Sequence, residues 1–246
     1  MSLNKKIVLV GTGIKSISHI TKETEQCVKK ADKVLYLVNE PILKEWIEST
    51  SKDSISLESV YFSEDDRRLA YRKISNFIIN SLDSYNHVCV VFYGHPTVFV
   101  ESGLSALNEV EKKGIESLIL PAISAEDCLF ADLKIDPSDG GCFSIDATEF
   151  LVKEKKIDTT SHLILWQIGM ICRSGLPTNR VNKEGMVKLQ HKLYSIYSDD
   201  VDVFIYEAAL YPGLRPSIIT SSIEKMHLEK ITTISTLYIP PVKWNQ

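Results

Sequence analysis

The segment Val90-Val-Phe-Tyr-Gly-His-Pro-Thr-Val-Phe99 indicates the fold more clearly than any other stretch of this chain. An apolar strand, predicted over Val88–Phe92, runs directly into Tyr93-Gly-His-Pro96. Gly94 can adopt backbone angles that other residues avoid, and Pro96 fixes φ and lacks an N–H donor, so a turn is predicted here. Open α/β sheets bind ligands at the carboxyl ends of their strands. The turn is therefore a candidate binding loop.

The composition is that of an ordinary globular protein with 246 residues, of which 44% are hydrophobic and 24% charged. This length suits one large α/β domain or two small ones. The formal charge of −4 and the absence of a basic stripe give no reason to expect nucleic acid or a membrane as partner. The five cysteines are odd in number and far apart, which favours reduced thiols in a cytoplasmic protein and gives no metal-site spacing.

The first half of the chain alternates strands with helices, which predicts a mostly parallel sheet. Acids at the start of a helix and a threonine cap mark several helix beginnings. The predicted strands are Lys6–Val10, Lys33–Val38, Val88–Phe92 and Ile115–Leu120. The predicted helices run from Thr21 to Lys30, onward from Pro41, from Asp65 to Leu82, and from Ser102 to Lys113.

The second half is less regular and predicts a mixed sheet. We place the domain boundary near Pro121, which gives an amino-terminal domain of residues 1–121 and a carboxyl-terminal domain of residues 122–246. Ser124-Ala-Glu-Asp127 has the pattern of a capping box that begins a helix to Leu133. The predicted strands are Cys142–Ser144, His162–Ile168, Asp202–Tyr206 and Ile231–Ile239, with a helix from about Glu184 to Tyr197.

The glycine turn Gly11-Thr-Gly-Ile-Lys-Ser16 follows the first strand but lacks the third glycine of a dinucleotide fingerprint. A tight turn leaving a strand explains it better than a nucleotide site. Other catalytic motifs are absent from the sequence, namely G-x-S-x-G, G-x-x-x-x-G-K-[ST] and H-E-x-x-H.

Arg67 and Tyr71 lie four residues apart on a predicted helix and are neighbours on its surface. The same stripe continues through Ile74 and Ile78, which are expected to face the core. An unpaired guanidinium on that face is costly, so a cleft at the helix end is one explanation, with Tyr61 projecting into it. The other explanation is that Arg67 forms an ion pair with Glu64, Asp65 or Asp66 on a solvated turn.

Several further polar residues have an ordinary structural explanation beside a functional one. His95 has no second ligand at metal-binding spacing and suits a hydrogen bond within its turn. Glu207 follows a predicted strand and is explained as an ordinary acid at a strand end. Trp166 and Gln167 lie on an apolar strand, where the first is explained as a core residue and the second as an amide that hydrogen-bonds within the fold. Ser235-Thr236 lies inside the last predicted strand.

Taken in order, landmarks along nearly the whole chain resemble the tetrapyrrole methylase superfamily. They are Gly11–Gly13, Val91-Phe-Tyr-Gly-His-Pro96, Leu120-Pro-Ala-Ile-Ser-Ala125, His162-Leu-Ile-Leu-Trp-Gln-Ile168, Ile205-Tyr-Glu207 and Ser235-Thr-Leu-Tyr-Ile-Pro240. The resemblance implies an α/β fold of two domains, with S-adenosylmethionine (SAM) in the cleft between them.

Within the superfamily, the chain is most similar to the borosin peptide backbone α-N-methyltransferases. The similarity lies in Tyr93-Gly-His-Pro96, the Arg67 and Tyr71 pair, Ser124-Ala-Glu-Asp-Cys-Leu-Phe-Ala-Asp-Leu133 and Leu165-Trp-Gln167. Thr97 and Ala122 stand where this family usually has glycine. By motif position, the resemblance implies cofactor contacts from Tyr93, Gly94, His95, Pro96, Val98, Phe99, Ser124, Ala125, Gln167, Ala208, Ser235 and Thr236. No metal is implied.

The implied chemistry methylates a backbone amide nitrogen, which is a poor nucleophile because its lone pair is delocalised. We predict Tyr71 as the general base, with Arg67 stabilising its phenolate and lowering a pKa that is ordinarily about 10. Tyr61 and Tyr93 are the candidates to hydrogen-bond the developing imidate oxygen.

The resemblance also implies a precursor peptide or protein supplied in trans, since the sequence stops at Gln246 without a substrate tail. It implies a homodimer, or a heterotetramer with two precursor molecules. Two rival functions stay open: methylation of a tetrapyrrole or other small molecule, with Arg67 meeting a substrate carboxylate, and SAM binding without catalysis.

Overall fold

The computed structural model describes residues 5–173, 175, 181–197 and 201–242, which form two compact units. The first unit contains the described residues up to Cys128 together with Ala209–Leu214. The second contains Leu129–Ala208 and the described residues from Arg215 onward. The predicted boundary at residue 121 stays a prediction.

The first unit is built on a sheet of five strands in the order β3-β2-β4-β1-β5, and every pairing in it is parallel. Its strands are β1 (Lys6–Gly11), β2 (Lys33–Leu37), β3 (Ser54–Ser56), β4 (His87–Phe92) and β5 (Glu116–Ile119). Its helices are α1 (Lys22–Lys30), α2 (Pro41–Thr50), α3 (Glu58–Tyr61), α4 (Arg67–Ser81) and α5 (Glu101–Lys112). The predicted parallel sheet is confirmed.

Local signals explain where these elements begin. The Thr21 side chain accepts a hydrogen bond from Thr24 N, and the Asp66 side chain caps α4 by accepting from Arg68 N and Leu69 N. Strand β1 is buried on both faces, since Ile7 and Leu9 belong to one apolar cluster and Val8 and Val10 to another. Burial on both faces is typical of a parallel sheet covered by helices.

The second unit has a mixed sheet in the order β6-β7-β10-β8-β9, in which only β6 and β7 pair in parallel. Its strands are β6 (Cys142–Asp146), β7 (His162–Trp166), β8 (Asp202–Glu207), β9 (Ser217–Ser222) and β10 (Thr236–Ile239). The remaining helices are α6 (Ala125–Leu133), α7 (Ala147–Val152) and α8 (Lys183–Tyr197). The predicted mixed sheet is confirmed.

The last strand is shorter than the sequence predicts. It begins at Thr236 rather than Ile231 because Ser235 N donates to Thr232 O at 3.2 Å, which closes a turn just before the strand. Strand β7 likewise ends at Trp166, because Gln167 has a left-handed φ of 56°. None of the described helices is both long and apolar enough to cross a membrane.

Candidate active site

Three glycines join the loops that follow β1 and β4. Gly13 and Gly94 exchange backbone hydrogen bonds of 3.1 Å in both directions, and both have positive φ, at 69° and 74°. A Cβ on Gly11 would lie 2.1 Å from the carbonyl oxygen of Gly94, so no side chain fits there. We call Gly11, Gly13 and Gly94 the glycine edge of the first sheet.

The segment after β5 lies at the same edge. Leu120 N donates to Leu9 O at 2.9 Å, which continues the pairing of β5 with β1. The predicted capping box then forms: Ser124 N donates to Asp127 Oδ2 at 2.7 Å, and Ser124 Oγ accepts from Asp127 N at 3.2 Å. Ser124 and Ala125 therefore lie on the segment that leaves the first sheet at the same edge as the Tyr93 loop.

Tyr93 anchors the loop after β4 to the glycine turn. Its hydroxyl donates to Ile14 O at 3.1 Å. Burial raises the pKa of Tyr93 to about 12, and Cys128, Glu40 and Tyr211 add to the effect. The phenol is therefore protonated near neutral pH and holds the turn with its one hydroxyl hydrogen.

The rest of this loop presents apolar side chains to solvent. His95 Nδ1 accepts from Thr97 N at 3.2 Å, which gives His95 the role within the turn that its sequence suggested. Val98 is 38% exposed and Phe99 is 45% exposed, and Phe99 has a left-handed φ of 58°. This conformation is unfavourable for a bulky residue and often marks ligand-binding positions. Among the described residues, no group of three or more His, Cys, Asp or Glu is arranged to hold a metal ion.

Glu40, which the sequence analysis did not single out, ties three segments together beneath the glycine turn. The carboxylate is 5% exposed and accepts from Ile42 N and Leu43 N at 2.9 and 2.8 Å. It also accepts from Ser16 Oγ at 3.2 Å and from Tyr211 Oη at 3.1 Å. Burial acts to raise the pKa of Glu40, but these hydrogen bonds together lower it below its usual range. The acid directly before Pro41 was the available sequence signal, because acids and Pro favour a helix start.

Tyr61, Arg67 and Tyr71 come together at the start of α4. The rings of Tyr61 and Tyr71 stack with centroids 6.2 Å apart and planes inclined by 26°. Arg67 and Tyr71 are half-buried, and Ile74 and Ile78 of the same stripe are fully buried, as predicted. Glu64 pairs with Lys73, and no ion pair within the described residues involves Arg67.

The phenol pKa values correct one expectation. Burial raises the pKa of Tyr71; Arg67 acts to lower it but is outweighed, and Glu101 raises it further. Burial also raises the pKa of Tyr61, with Tyr71 adding to the rise and Arg67 opposing it. Arg67 thus acts in the predicted direction, but the predicted lowering of the Tyr71 pKa is wrong because desolvation of the phenolate is the larger effect.

In the second unit, the predicted residues lie at one edge of the mixed sheet. Strand β7 ends just before Gln167, β8 ends just before Ala208, and β10 begins just after Ser235. The pairing of Thr236 with Tyr206 and the bond from Ile168 N to Ser235 O at 3.2 Å align these ends.

This edge is held by side chains. Glu207 Oε1 accepts from Thr232 Oγ1 at 2.7 Å and also from Ser235 Oγ. Ser235 is fully buried, so its hydroxyl serves this network. A Cβ on Gly169 would lie 1.9 Å from Thr232 O, which shows how closely the backbones approach. We call Gln167, Glu207, Thr232 and Ser235 the Glu207 edge.

Comparison with known proteins decides the family. Residues 6–219 match the family of tetrapyrrole (corrin/porphyrin) methylases. The chain belongs to this family. The resemblance read from the sequence is therefore confirmed.

Relatives of this tetrapyrrole methylase include fungal proteins named as peptide-precursor fusions. It is 35% identical to a methyltransferase/ribosomally synthesized type I borosin cyclic peptide precursor of Coprinopsis marcescibilis, over 96% of this chain and 62% of that protein. It is 34% identical to a methyltransferase/ribosomally synthesized cyclic peptide lentinulin A precursor of Lentinula edodes, over 98% of this chain and 59% of that protein. The chain therefore spans about three fifths of the length of these curated relatives.

Solved structures of low sequence identity share the fold of this tetrapyrrole methylase. Uroporphyrin-III-C-methyltransferase from Thermus thermophilus matches with a TM-score of 0.68 and 16% identity, over 97% of this chain and 93% of that chain. Diphthine synthase matches with a TM-score of 0.65 and 14% identity, over 96% and 90% of the two chains. These likenesses confirm the predicted α/β fold class.

Proposed function

We propose that this chain is a SAM-dependent methyltransferase that methylates backbone amide nitrogens of a ribosomally made precursor peptide. The observation that carries the proposal is the cluster of Tyr61, Arg67 and Tyr71, in which two stacked phenols lie beside a cation that pairs with no carboxylate among the described residues. Family membership supports methyl transfer, and the names of the fungal relatives support a peptide substrate.

The loop after β4 fits a cofactor such as SAM. Its backbone is fixed by the glycine edge and by Tyr93, while Val98 and Phe99 remain exposed for an apolar group. Tyr93, Gly94, His95, Pro96, Val98, Phe99, Ser124 and Ala125 would hold the cofactor. When bound, SAM supplies a methyl group already activated for in-line displacement. Contacts from Gln167, Ala208, Ser235 and Thr236 stay a prediction from motif position. Ser235 is fully buried, and its hydroxyl, N–H and carbonyl groups already form hydrogen bonds within the fold.

Within this proposal, Tyr71 removes the proton from the substrate amide nitrogen. Arg67 stabilises the phenolate, whereas burial opposes ionisation of the phenol and is the larger effect. Only a small fraction of Tyr71 is therefore ionised near neutral pH. The methylation rate should therefore rise with pH through the neutral and mildly alkaline range. Tyr61 is the better placed donor for the imidate oxygen, since the hydroxyl hydrogen of Tyr93 is directed at Ile14 O.

The peptide is proposed to be a separate precursor bound by a homodimer, or by a heterotetramer with two precursor molecules, in the cytoplasm. The precursor portions named in the fungal relatives support a ribosomally made peptide as substrate, and its being a separate molecule rests on the proposal alone. A small-molecule substrate such as a tetrapyrrole is the second candidate, favoured by the family description and by the fold shared with uroporphyrin-III-C-methyltransferase.

The experiment that tests the function offers both substrate classes to the same preparation. The chain is incubated with SAM and either precursor peptides of the borosin type or a tetrapyrrole such as uroporphyrinogen, followed by mass spectrometry. Peptides should gain mass in steps of one methyl group, and fragmentation should place each methyl on a backbone nitrogen. Methylation of the tetrapyrrole alone would replace the peptide proposal. Cofactor binding in calorimetry without any product would show a non-catalytic SAM-binding protein.

A further inference from the structure

A surface cavity of about 240 Å³, lined largely by exposed residues, opens between α4 and α5 in the first unit. Helix α4 contributes Arg68, Arg72, Ser75 and Asn76 to its lining, and α5 contributes Glu101 and Ser105. We call it the α4–α5 cavity. None of these residues entered the site predicted from the sequence.

The cavity carries two exposed cations, Arg68 and Arg72, that form no ion pair within the part of the chain that the structure describes. Arg68 and Arg72 are one helical turn apart. Lys73, on the same helix, does pair with Glu64. Glu101 is the one carboxylate among the residues that line the cavity, so its fixed charges sum to a positive value.

The lining also contains a hydroxyl on a mostly buried residue. Ser75 is only 7% exposed, and it lines the cavity. Within the described part of the chain its side chain forms no hydrogen bond, so the hydroxyl is open to a bound group while packing fixes the rest of the residue. Together with the Asn76 amide and the Ser105 hydroxyl, Ser75 makes the cavity rich in donors that a ligand would satisfy.

Tyr71 lines the same cavity, which connects it to the proposed base. We propose that the α4–α5 cavity binds the carboxylate of an aspartate or glutamate side chain in the peptide substrate, close in sequence to the methylated residue. Guanidinium groups recognise carboxylates through paired, charge-assisted hydrogen bonds, and the Ser75 hydroxyl adds a further donor. This inference rests on the proposed function, which it deepens by naming a feature of the substrate.

A matched pair of probes isolates the carboxylate. Two capped peptides, acetyl-Val-Val-Glu-Val-Val-amide and its Gln counterpart, differ in one charge and are titrated into the full chain by calorimetry. The Glu peptide should bind at least about tenfold more tightly, because charge-assisted hydrogen bonds are about twice as strong as neutral ones. The preference should weaken as salt is added.

Two double variants test whether Arg68 and Arg72 cause the preference for the Glu peptide. Arg68→Gln with Arg72→Gln should reduce it to less than about twofold, since the charged partners are gone. Lys73→Gln with Lys112→Gln removes two cations from the same two helices outside the cavity lining and should leave the preference intact. Thermal unfolding by circular dichroism confirms that both variants are folded. A Ser75→Ala variant should weaken binding of the Glu peptide by a smaller factor.

Equal binding of the two peptides, no binding of either, or a preference that survives loss of both arginines would overturn the inference. The result is separable from that of the methylation assay. Methylation without a charge preference would refute the carboxylate site and leave the proposed function standing. A charge preference without methylation would keep the site and refute the function.

Discussion

In the first sheet the loops at the carboxyl edge meet through glycine backbone groups, with the Tyr93 and Glu40 side chains supporting the turn, whereas in the second sheet a carboxylate joins hydroxyl side chains at the edge. The glycine edge relies on the exchanged bonds between Gly13 and Gly94. The Glu207 edge relies on a carboxylate that accepts from Thr232 and Ser235. At Gly11 in the glycine edge, and at Gly169 beside the Glu207 edge, two backbones approach too closely for a Cβ.

The two edges also differ in the exposure of the side chains around them. Because backbone groups hold the glycine edge, Val98 and Phe99 of the following loop remain exposed. At the Glu207 edge, the hydroxyls of Thr232 and Ser235 serve the fold itself. Exposed apolar side chains thus lie beside the first edge, and a buried hydroxyl network lies at the second.

The largest effect is expected from a methyl group at either close approach. Gly11→Ala and Gly169→Ala should each lower the free energy of unfolding by about 3 kcal/mol, since the atom nearest to each added Cβ is a backbone carbonyl oxygen, of Gly94 at 2.1 Å or of Thr232 at 1.9 Å. Denaturant titrations followed by circular dichroism measure the loss. Gly114→Ala is the control: its φ is 73°, nothing lies within 4 Å of the added Cβ, and the cost should be about 1 kcal/mol. Equal losses in all three variants would contradict the close-approach argument.

Removing the charge beneath the glycine turn should have the next largest effect. Glu40→Gln should lower the free energy of unfolding by about 2 kcal/mol at neutral pH, because hydrogen bonds to a buried charged group are among the strong ones. Glu45→Gln, an exposed acid on the same helix, is the matched control and should change little.

The pH dependence of that loss has a definite sign. The folded-state pKa of Glu40 is lowered, so its stabilising contribution is present above the ordinary carboxyl pKa and is lost as pH falls through the folded value. The difference in unfolding free energy between wild type and Glu40→Gln should shrink in acid. A difference that stays constant down to about pH 3 would show that the charge of Glu40 does not matter.

At the Glu207 edge, removal of the carboxylate charge should lower the free energy of unfolding by less than the Glu40→Gln change does. Glu207→Gln should reduce the free energy of unfolding by about 1 kcal/mol, since the amide oxygen can still accept both hydroxyl hydrogen bonds but without the strengthening of a negative charge. Asp202→Asn, at the exposed other end of β8, is the control and should be nearly neutral. A larger loss for Glu207→Gln than for Glu40→Gln would reverse the ranking of the two edges.

The smallest effect is expected from Tyr211→Phe. This change removes one of the four groups that donate to Glu40 and leaves the other three. Denaturant titration should show a loss below that of Glu40→Gln, and Tyr194→Phe, on the exposed face of α8, should show none. A Tyr211→Phe loss that matched the Glu40→Gln loss would mean that Tyr211, rather than the helix cap, holds the turn.

Signals from residues adjacent in sequence predict much of the fold. The Thr21 and Asp66 caps, the Ser124 capping box and the strand before Tyr93 are formed by residues adjacent in sequence, so the sequence predicts them well. Strand β9 escaped prediction because it is mostly polar and has no fully buried residue, and because it lies at the end of its sheet, where it pairs only with β8.

The site was predicted less completely because several of its determinants are tertiary. Glu40 receives donors from Ser16 and Tyr211, which no local pattern relates to it. The pKa of Tyr71 depends on how deeply its ring is buried, and the sequence showed only the Arg67 that opposes the rise. The grouping of Tyr61 with Tyr71 did follow from sequence, because α3 and α4 are separated by a short turn.

The most direct test of the proposed chemistry is the rate of peptide methylation by Tyr71→Phe beside wild type and Tyr194→Phe. With SAM and precursor peptide in excess, mass spectrometry follows the methylated fraction over time, and calorimetry measures SAM binding to each protein. The account predicts that Tyr71→Phe loses about 100-fold or more in rate and binds SAM nearly as well as wild type, while Tyr194→Phe behaves as wild type. Methylation by Tyr71→Phe at the wild-type rate would contradict the assignment of Tyr71 as the base.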